Sequence, residues 1–147
     1  GPTILNWNET SIYGGSFTVN DSSKAVIANG SFANDADKGN LTIYGGQFTA
    51  SNDGNNAIFG YGQGGKKGGA VEVKGGAFTG YVGSAADYPY TPTIEGGAFT
   101  NLDRETVVVN SDASANFVTE GEKIEVYIST QLSKSWRKSL HLKNWRQ

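Results

Sequence analysis

The chain has 147 residues, enough for one domain with a sizeable core, and its 21 glycines against 3 prolines are about twice the usual glycine share. With no Cys and a single His, a disulfide framework, a thiolate nucleophile and a histidine-based zinc site are excluded. Residues 1–130 carry 7 Lys/Arg and 14 Asp/Glu, while 131–147 carry 5 and none; the acidic body disfavours nucleic acid as a partner, and no apolar run approaches the ~20 residues of a membrane span.

In chain order, the Gly1-Pro2 start and the lack of any Met read as the remnant of a cleaved tag on a piece of a larger parent protein. The first repeat follows as Ile12-Tyr13-Gly14-Gly15-Ser16-Phe17-Thr18, then Ile27-Ala28-Asn29-Gly30-Ser31-Phe32 and Ile43-Tyr44-Gly45-Gly46-Gln47-Phe48-Thr49. Two more follow, Val73-Lys74-Gly75-Gly76-Ala77-Phe78-Thr79 and Ile94-Glu95-Gly96-Gly97-Ala98-Phe99-Thr100. Alternation in Leu41-x-Ile43 and Val71-x-Val73 predicts short strands with one face inward. Two glycines then permit positive φ and a sharp corner, after which Phe-Thr opens the next strand.

A repeat of this kind points to stacked coils whose core is built from neighbour contacts. At ~4.8 Å per coil, Ile12, Ile27, Ile43, Val73 and Ile94 would form one interior column and Phe17, Phe32, Phe48, Phe78 and Phe99 another. The gap between Phe48 and Phe78 reads as two coils with a degenerate one at Ala57-Ile58-Phe59, and a sixth coil runs from Val107-Val108-Val109 to Phe117. The expected fold is all-β, a right-handed parallel β-helix (solenoid) of about six coils over residues 1–130. An antiparallel sandwich would need hairpin dipeptides between strands, which the constant offset of Gly-Gly from Phe does not provide. Residues 131–147 form a basic tail in which Leu132, Trp136 and Leu140 recur at i, i+4 and i+8, predicting a capping helix or else a non-native extension.

The Gly-Gly-x-Phe-Thr repeats, over roughly residues 10–118, resemble those of right-handed β-helix regions in large surface and adhesin-like proteins of gut Firmicutes. The resemblance implies an extracellular or cell-surface bacterial module, a non-catalytic stalk or adhesin whose partner is a host glycan or host extracellular protein. Two alternatives stay open: a polysaccharide-active lyase or glycosidase of the same architecture, and a phage or toxin receptor-binding fragment.

Candidate binding residues are aromatic. The outward position of the repeat carries Tyr13, Ala28, Tyr44, Lys74 and Glu95; stacked in that order, the two tyrosines would flank Ala28 about 10 Å apart, leaving a slot suited to a sugar ring. The loops 51–69, with Tyr61, and 80–92, with Tyr81, Tyr88 and Tyr90, are the other candidates. Lys74 and Glu95 are expected to form an exposed ion pair, and Asp103 and Arg104 sit in a turn with no evident partner. Gly60 to Lys67 approaches a phosphate-binding loop, but Lys67 replaces the required hydroxyl and a strand follows. The Asn/Asp runs at 34–40 and 52–56 lack calcium-loop spacing. No catalytic residue, metal or cofactor is expected.

Overall fold

The structure, a computed structural model, describes residues 1–35, 37–83, 90–103, 105–109, 115–120 and 123–128. The chain first lays down three short strands, β1 (Ile4–Asn6), β2 (Glu9–Ile12) and β3 (Ser16–Thr18). The same order recurs in β4 (Ile27–Asn29), β5 (Asn40–Ile43) and β6 (Gln47–Thr49), and again in β7 (Ile58–Phe59), β8 (Val71–Val73) and β9 (Ala77–Val82). Among the described residues the next pass holds β10 (Thr93–Ile94) and β11 (Gly97–Leu102), and β12 (Val108–Val109), β13 (Ala115–Glu120) and β14 (Lys123–Ile128) follow. Equivalent strands pair in parallel across passes, giving a first sheet β1-β4-β7, a second β12-β10-β8-β5-β2 and a third β13-β14-β11-β9-β6-β3.

The all-β reading therefore holds, but the expected single β-helix of about six coils does not. The strands lie in three separate short sheets that do not close into one column, and among the described residues the first sheet gains no strand after β7. The third sheet is extended by β14 and β13 pairing antiparallel, so Phe117 belongs to an antiparallel strand and not to a sixth coil. Among the described residues the only helical element is one 3₁₀ turn, Gln63–Gly65; the predicted capping helix lies outside them.

The physical reason for the correction is that two kinds of strand share a similar motif. Ile12, Ile43, Val73, Ile94 and Val109 are successive register partners in the second sheet, but Ile27 pairs with Ile4 and Ile58 in the first. Likewise Phe17, Phe48, Phe78 and Phe99 stack at centroid distances of 5.3, 4.9 and 5.1 Å, whereas Phe32 is 50% exposed and tilts against Trp7. The segment at 27–32 has one glycine and a buried Asn29, whose Nδ2 donates to the Gly39 carbonyl at 2.6 Å and whose Oδ1 accepts from Asn6 Nδ2 at 2.8 Å. That amide network satisfies the backbone where the first sheet turns into the second, a job the Gly-Gly corner does not do. Ala57-Ile58-Phe59 is likewise no separate coil, since Ile58 extends the first sheet and Phe48 and Phe78 are direct neighbours.

The Gly-Gly corners joining the second sheet to the third are determined twice over. The second glycine of each is left-handed, with φ of +106, +117, +104 and +116° at Gly15, Gly46, Gly76 and Gly97, where a Cβ is disfavoured. The first lies beneath the preceding corner: a Cβ on Gly75 would stand 2.4 Å from the Tyr44 carbonyl oxygen, and one on Gly45 2.8 Å from that of Tyr13. Packing then follows, with Phe48, Phe78, Phe99, Ile43, Val73 and Ile94 all buried. Truncating Phe48 to Ala should cost about 3–5 kcal/mol, the range for a buried aromatic, while Phe32→Ala should cost under about 1 kcal/mol. Urea unfolding of the two variants checks this, and equal losses would contradict the separation of the two phenylalanines.

Candidate functional site

The corner that fixes the core also fixes an outward row. Immediately before each Gly-Gly stands Tyr13, Tyr44, Lys74 or Glu95, and backbone bonds hold these residues in register: Tyr44 N–H to the Ile12 carbonyl at 2.8 Å, Lys74 N–H to Ile43 and Glu95 N–H to Val73, both at 2.7 Å. The side chains follow. The Tyr13 and Tyr44 rings lie 4.8 Å apart and 3° from parallel, the Lys74 ammonium sits 5.8 Å over the Tyr44 ring, and Lys74 Nζ pairs with Glu95 Oε2 at 3.5 Å. The expected ion pair is thus present, but it is partly buried and not fully exposed, with side-chain exposures of 35% at Lys74 and 15% at Glu95.

The slot expected between the tyrosines is absent. Ala28 pairs with Leu5 and Phe59 in the first sheet, so nothing separates Tyr13 from Tyr44 and their spacing is that of adjacent strands. Stacking changes which surface is offered. Tyr44 presents one face to Tyr13 and the other to Lys74, leaving mainly its edge to solvent at 45% exposure, while Tyr13, 74% exposed, keeps one whole face open at the end of the row. Each contact is modest: an aromatic pair is worth about 0.5–1.5 kcal/mol beyond burial and an exposed cation–π contact about 0.5–1 kcal/mol. Together they hold Tyr13 in one orientation.

The loop tyrosines divide. Tyr90 is partly buried against the core, donates its hydroxyl to the Ile58 carbonyl at 3.1 Å, and packs on Gly60, where a Cβ would clash with its ring at 2.7 Å; burial pushes its hydroxyl pKa well up. It lies against β7, the strand at the edge of the first sheet, and its role is packing. Tyr81 lies on β9 and donates to Asp103 Oδ2 at 2.9 Å, so Asp103, expected without a partner, has one. Tyr61 tilts against Phe59 with centroids 6.2 Å apart. Tyr88 and Arg104 fall outside the described residues.

The segment 51–69 is less an inserted loop than the carrier of β7. Leu5, Trp7 and Lys24, which the sequence did not single out, gather with Ala28, Phe59 and Tyr61 to line an open cleft of about 330 Å³ on the outer side of the first sheet. The available signal was the unexplained aromatic and apolar residues at 5, 7, 59 and 61, but only the strand register brings them together. Four of the carboxylates have local partners: Glu95 has Lys74, Asp37 has Lys67, Asp103 has Tyr81 and Asp53 has Thr100. No group of three or more His, Asp or Glu side chains suited to a metal occurs among the described residues. No helix there is long and apolar enough to cross a membrane.

Comparison of the chain with protein-family models, curated proteins and solved structures finds no match. The functional reading therefore stands on the geometry and on the resemblance of the repeats.

The Tyr81–Asp103 bond gives a pH test. The Tyr81 hydroxyl and the Glu105 and Thr106 amides hold the Asp103 carboxyl below its ordinary value, so its contribution is complete above the unfolded carboxylate pKa of ~3.9 and is lost as pH falls through the lower folded value. The melting difference between the wild type and Tyr81→Phe should shrink as pH drops below about 4, measured by thermal melts in a pH series. A difference independent of pH would mean that the ionised carboxylate does not matter there.

Proposed function

We propose that this chain is a non-catalytic recognition module of a bacterial secreted or surface-displayed protein, an adhesin-like part of a larger protein that binds a glycan or a host extracellular protein. The observation that carries the reading is the free face of Tyr13 at the end of the Tyr13–Tyr44–Lys74–Glu95 row. An immobilised aromatic face costs little entropy on binding and suits either a sugar ring or an apolar side chain laid on it as the next layer. The ring is held from behind, so it is organised before the ligand arrives. The likeness of the repeats to those of bacterial surface proteins supports the same setting.

Arrays of glycans and of host proteins, including mucins and immunoglobulins, test the reading. For a ligand found there, Tyr13→Ala should weaken binding by about tenfold or more, as expected for an aromatic anchor. Tyr44→Ala should cost less, because it removes the support and leaves the contact face. Binding untouched by both substitutions would refute the stack as the recognition surface.

A further inference from the structure

One glycine of the repeat is not required by anything inside the chain. The first glycine of each later corner lies beneath the carbonyl of the corner before it: a Cβ on Gly45 would stand 2.8 Å from the Tyr13 oxygen, and one on Gly75 2.4 Å from that of Tyr44. Gly14 holds the same place in the first corner, yet no atom beyond its chain neighbours lies within 4 Å of its Cβ position, and its φ is outside the left-handed range. Neither space nor backbone demands a glycine there, and an alanine would lose less conformational entropy on folding.

The groups around Gly14 are incomplete in the same direction. Among the described residues β2 and β3 are terminal strands of their sheets. Tyr44, Lys74 and Glu95 each donate their amide to the pass before, at 2.7–2.8 Å, as do Gln47, Ala77 and Ala98, at 2.8–2.9 Å; the equivalent amides of Tyr13 and Ser16 have no preceding strand. Phe48 and Phe78 have a ring on each face and are buried, whereas Phe17 has one on its Phe48 side and is half-buried. Charges and prolines usually blunt an open sheet edge, but β3 carries neither and β2 only Glu9. The Thr18 carbonyl marks where the opening ends: its counterparts on Thr49 and Thr79 accept the Val19 and Ala50 amides of the pass before, but it accepts the Thr3 hydroxyl at 2.7 Å. A sugar on Tyr13 would use neither Gly14, nor the two amides, nor Phe17. A strand with a corner of its own would use all of them.

We propose that the open edge of the first pass takes a strand-corner-strand segment of another polypeptide, added parallel to β2 and β3, with the pattern aromatic-x-Gly-x-Phe. The carbonyl of its aromatic residue enters the space over Gly14, the aromatic ring covers Tyr13 and its Phe stacks on Phe17. The carbonyl before the aromatic residue accepts from Tyr13 N–H, and that of the glycine accepts from Ser16 N–H, as Ile12 and Gly15 do for the next pass. Main-chain bonds supply the affinity and the stacked rings the selectivity, as in other strand additions. The segment needs only that one glycine, for the left-handed corner, because nothing is nested on the residue before it. The proposal rests on the recognition reading of Tyr13 given above and names the class of partner: a protein segment and not a glycan.

The test is a titration of the ¹⁵N-labelled full chain with a synthetic peptide of the sequence Asn40 to Thr49, which spans two strands and the corner between them. The Tyr13 and Ser16 amide resonances should shift saturably and their hydrogen exchange should slow. Gly14→Ala should melt as the wild type does, since its Cβ meets nothing, yet weaken the peptide by about tenfold or more, the scale of an overpacked contact. In the peptide, Gly46→Ala should weaken binding to a similar degree and Gly45→Ala should leave it unchanged, a contrast that carries the test if Gly14→Ala melts lower. The proposal is overturned by no saturable shift up to about 2 mM peptide, by peptide binding indifferent to Gly14→Ala, by equal binding of a scrambled peptide, or by dimerisation of the free chain on sedimentation that Gly14→Ala abolishes, which would make a second copy the occupant. A glycan whose binding falls in Tyr13→Ala but not in Gly14→Ala, with no peptide binding, would remove the strand and leave the recognition reading standing. Peptide binding lost in Gly14→Ala but untouched by Tyr13→Ala would sustain the strand and remove the tyrosine stack as its anchor.

Discussion

The fold depends on a close approach of backbone to backbone at the Gly-Gly corners. Where one pass turns from the second sheet into the third, the carbonyl of the pass before it occupies the place that a side chain would need, 2.4 Å from the position of a Cβ on Gly75. Once those corners nest, the strands on either side have no freedom of register. The phenylalanines two residues past each corner must then stack, and the residues just before it must line up on the outside. Core and surface rows are two readings of a single constraint.

That coupling explains what the sequence disclosed and what it withheld. The Gly-Gly-x-Phe-Thr motif identified strands, corners and both buried columns for the four segments that carry it in full, and the parallel pairing among those segments. It misled at Ile27 and Phe32, where the motif has one glycine and an asparagine. The true return distance is visible only when that segment is set aside: Phe17, Phe48 and Phe78 are 31 and 30 residues apart, one pass through three sheets, and not two coils each. Side-chain amides did the hidden work. Asn6 and Asn29 hold the turn between the first and second sheets, and a buried asparagine inside an apolar-looking strand was the available clue.

The candidate site followed the same logic. Tyr13, Tyr44, Lys74 and Glu95 were identifiable as one outward row, because they share an offset from the glycines. Their spacing was not, because it depended on whether Ala28 stood between them, and the answer altered the surface from a slot into the end of a stack. The cleft beside Trp7 was invisible for a related reason: its walls come from strands that carry no shared motif, and it exists only because three dissimilar segments lie side by side. Of the aromatic candidates, Tyr90 and Tyr81 serve packing, since their hydroxyls are already engaged by Ile58 and Asp103.

The return between Phe78 and Phe99 takes only 21 residues, yet β10 and β11 still pair in parallel with β8 and β9, with a register shift after Phe99. Tyr90 lies against β7, its hydroxyl donating to the Ile58 carbonyl. The architecture therefore tolerates a change of chain length in whole structural increments: a pass can be lengthened or shortened between a phenylalanine and the next pair of glycines without disturbing the rows on either side. Duplication or loss of such a stretch at the level of the coding sequence would alter how far the aromatic row extends and how many strands each sheet contains. The same core could in this way present recognition surfaces of different reach, with no need to invent a new fold for each.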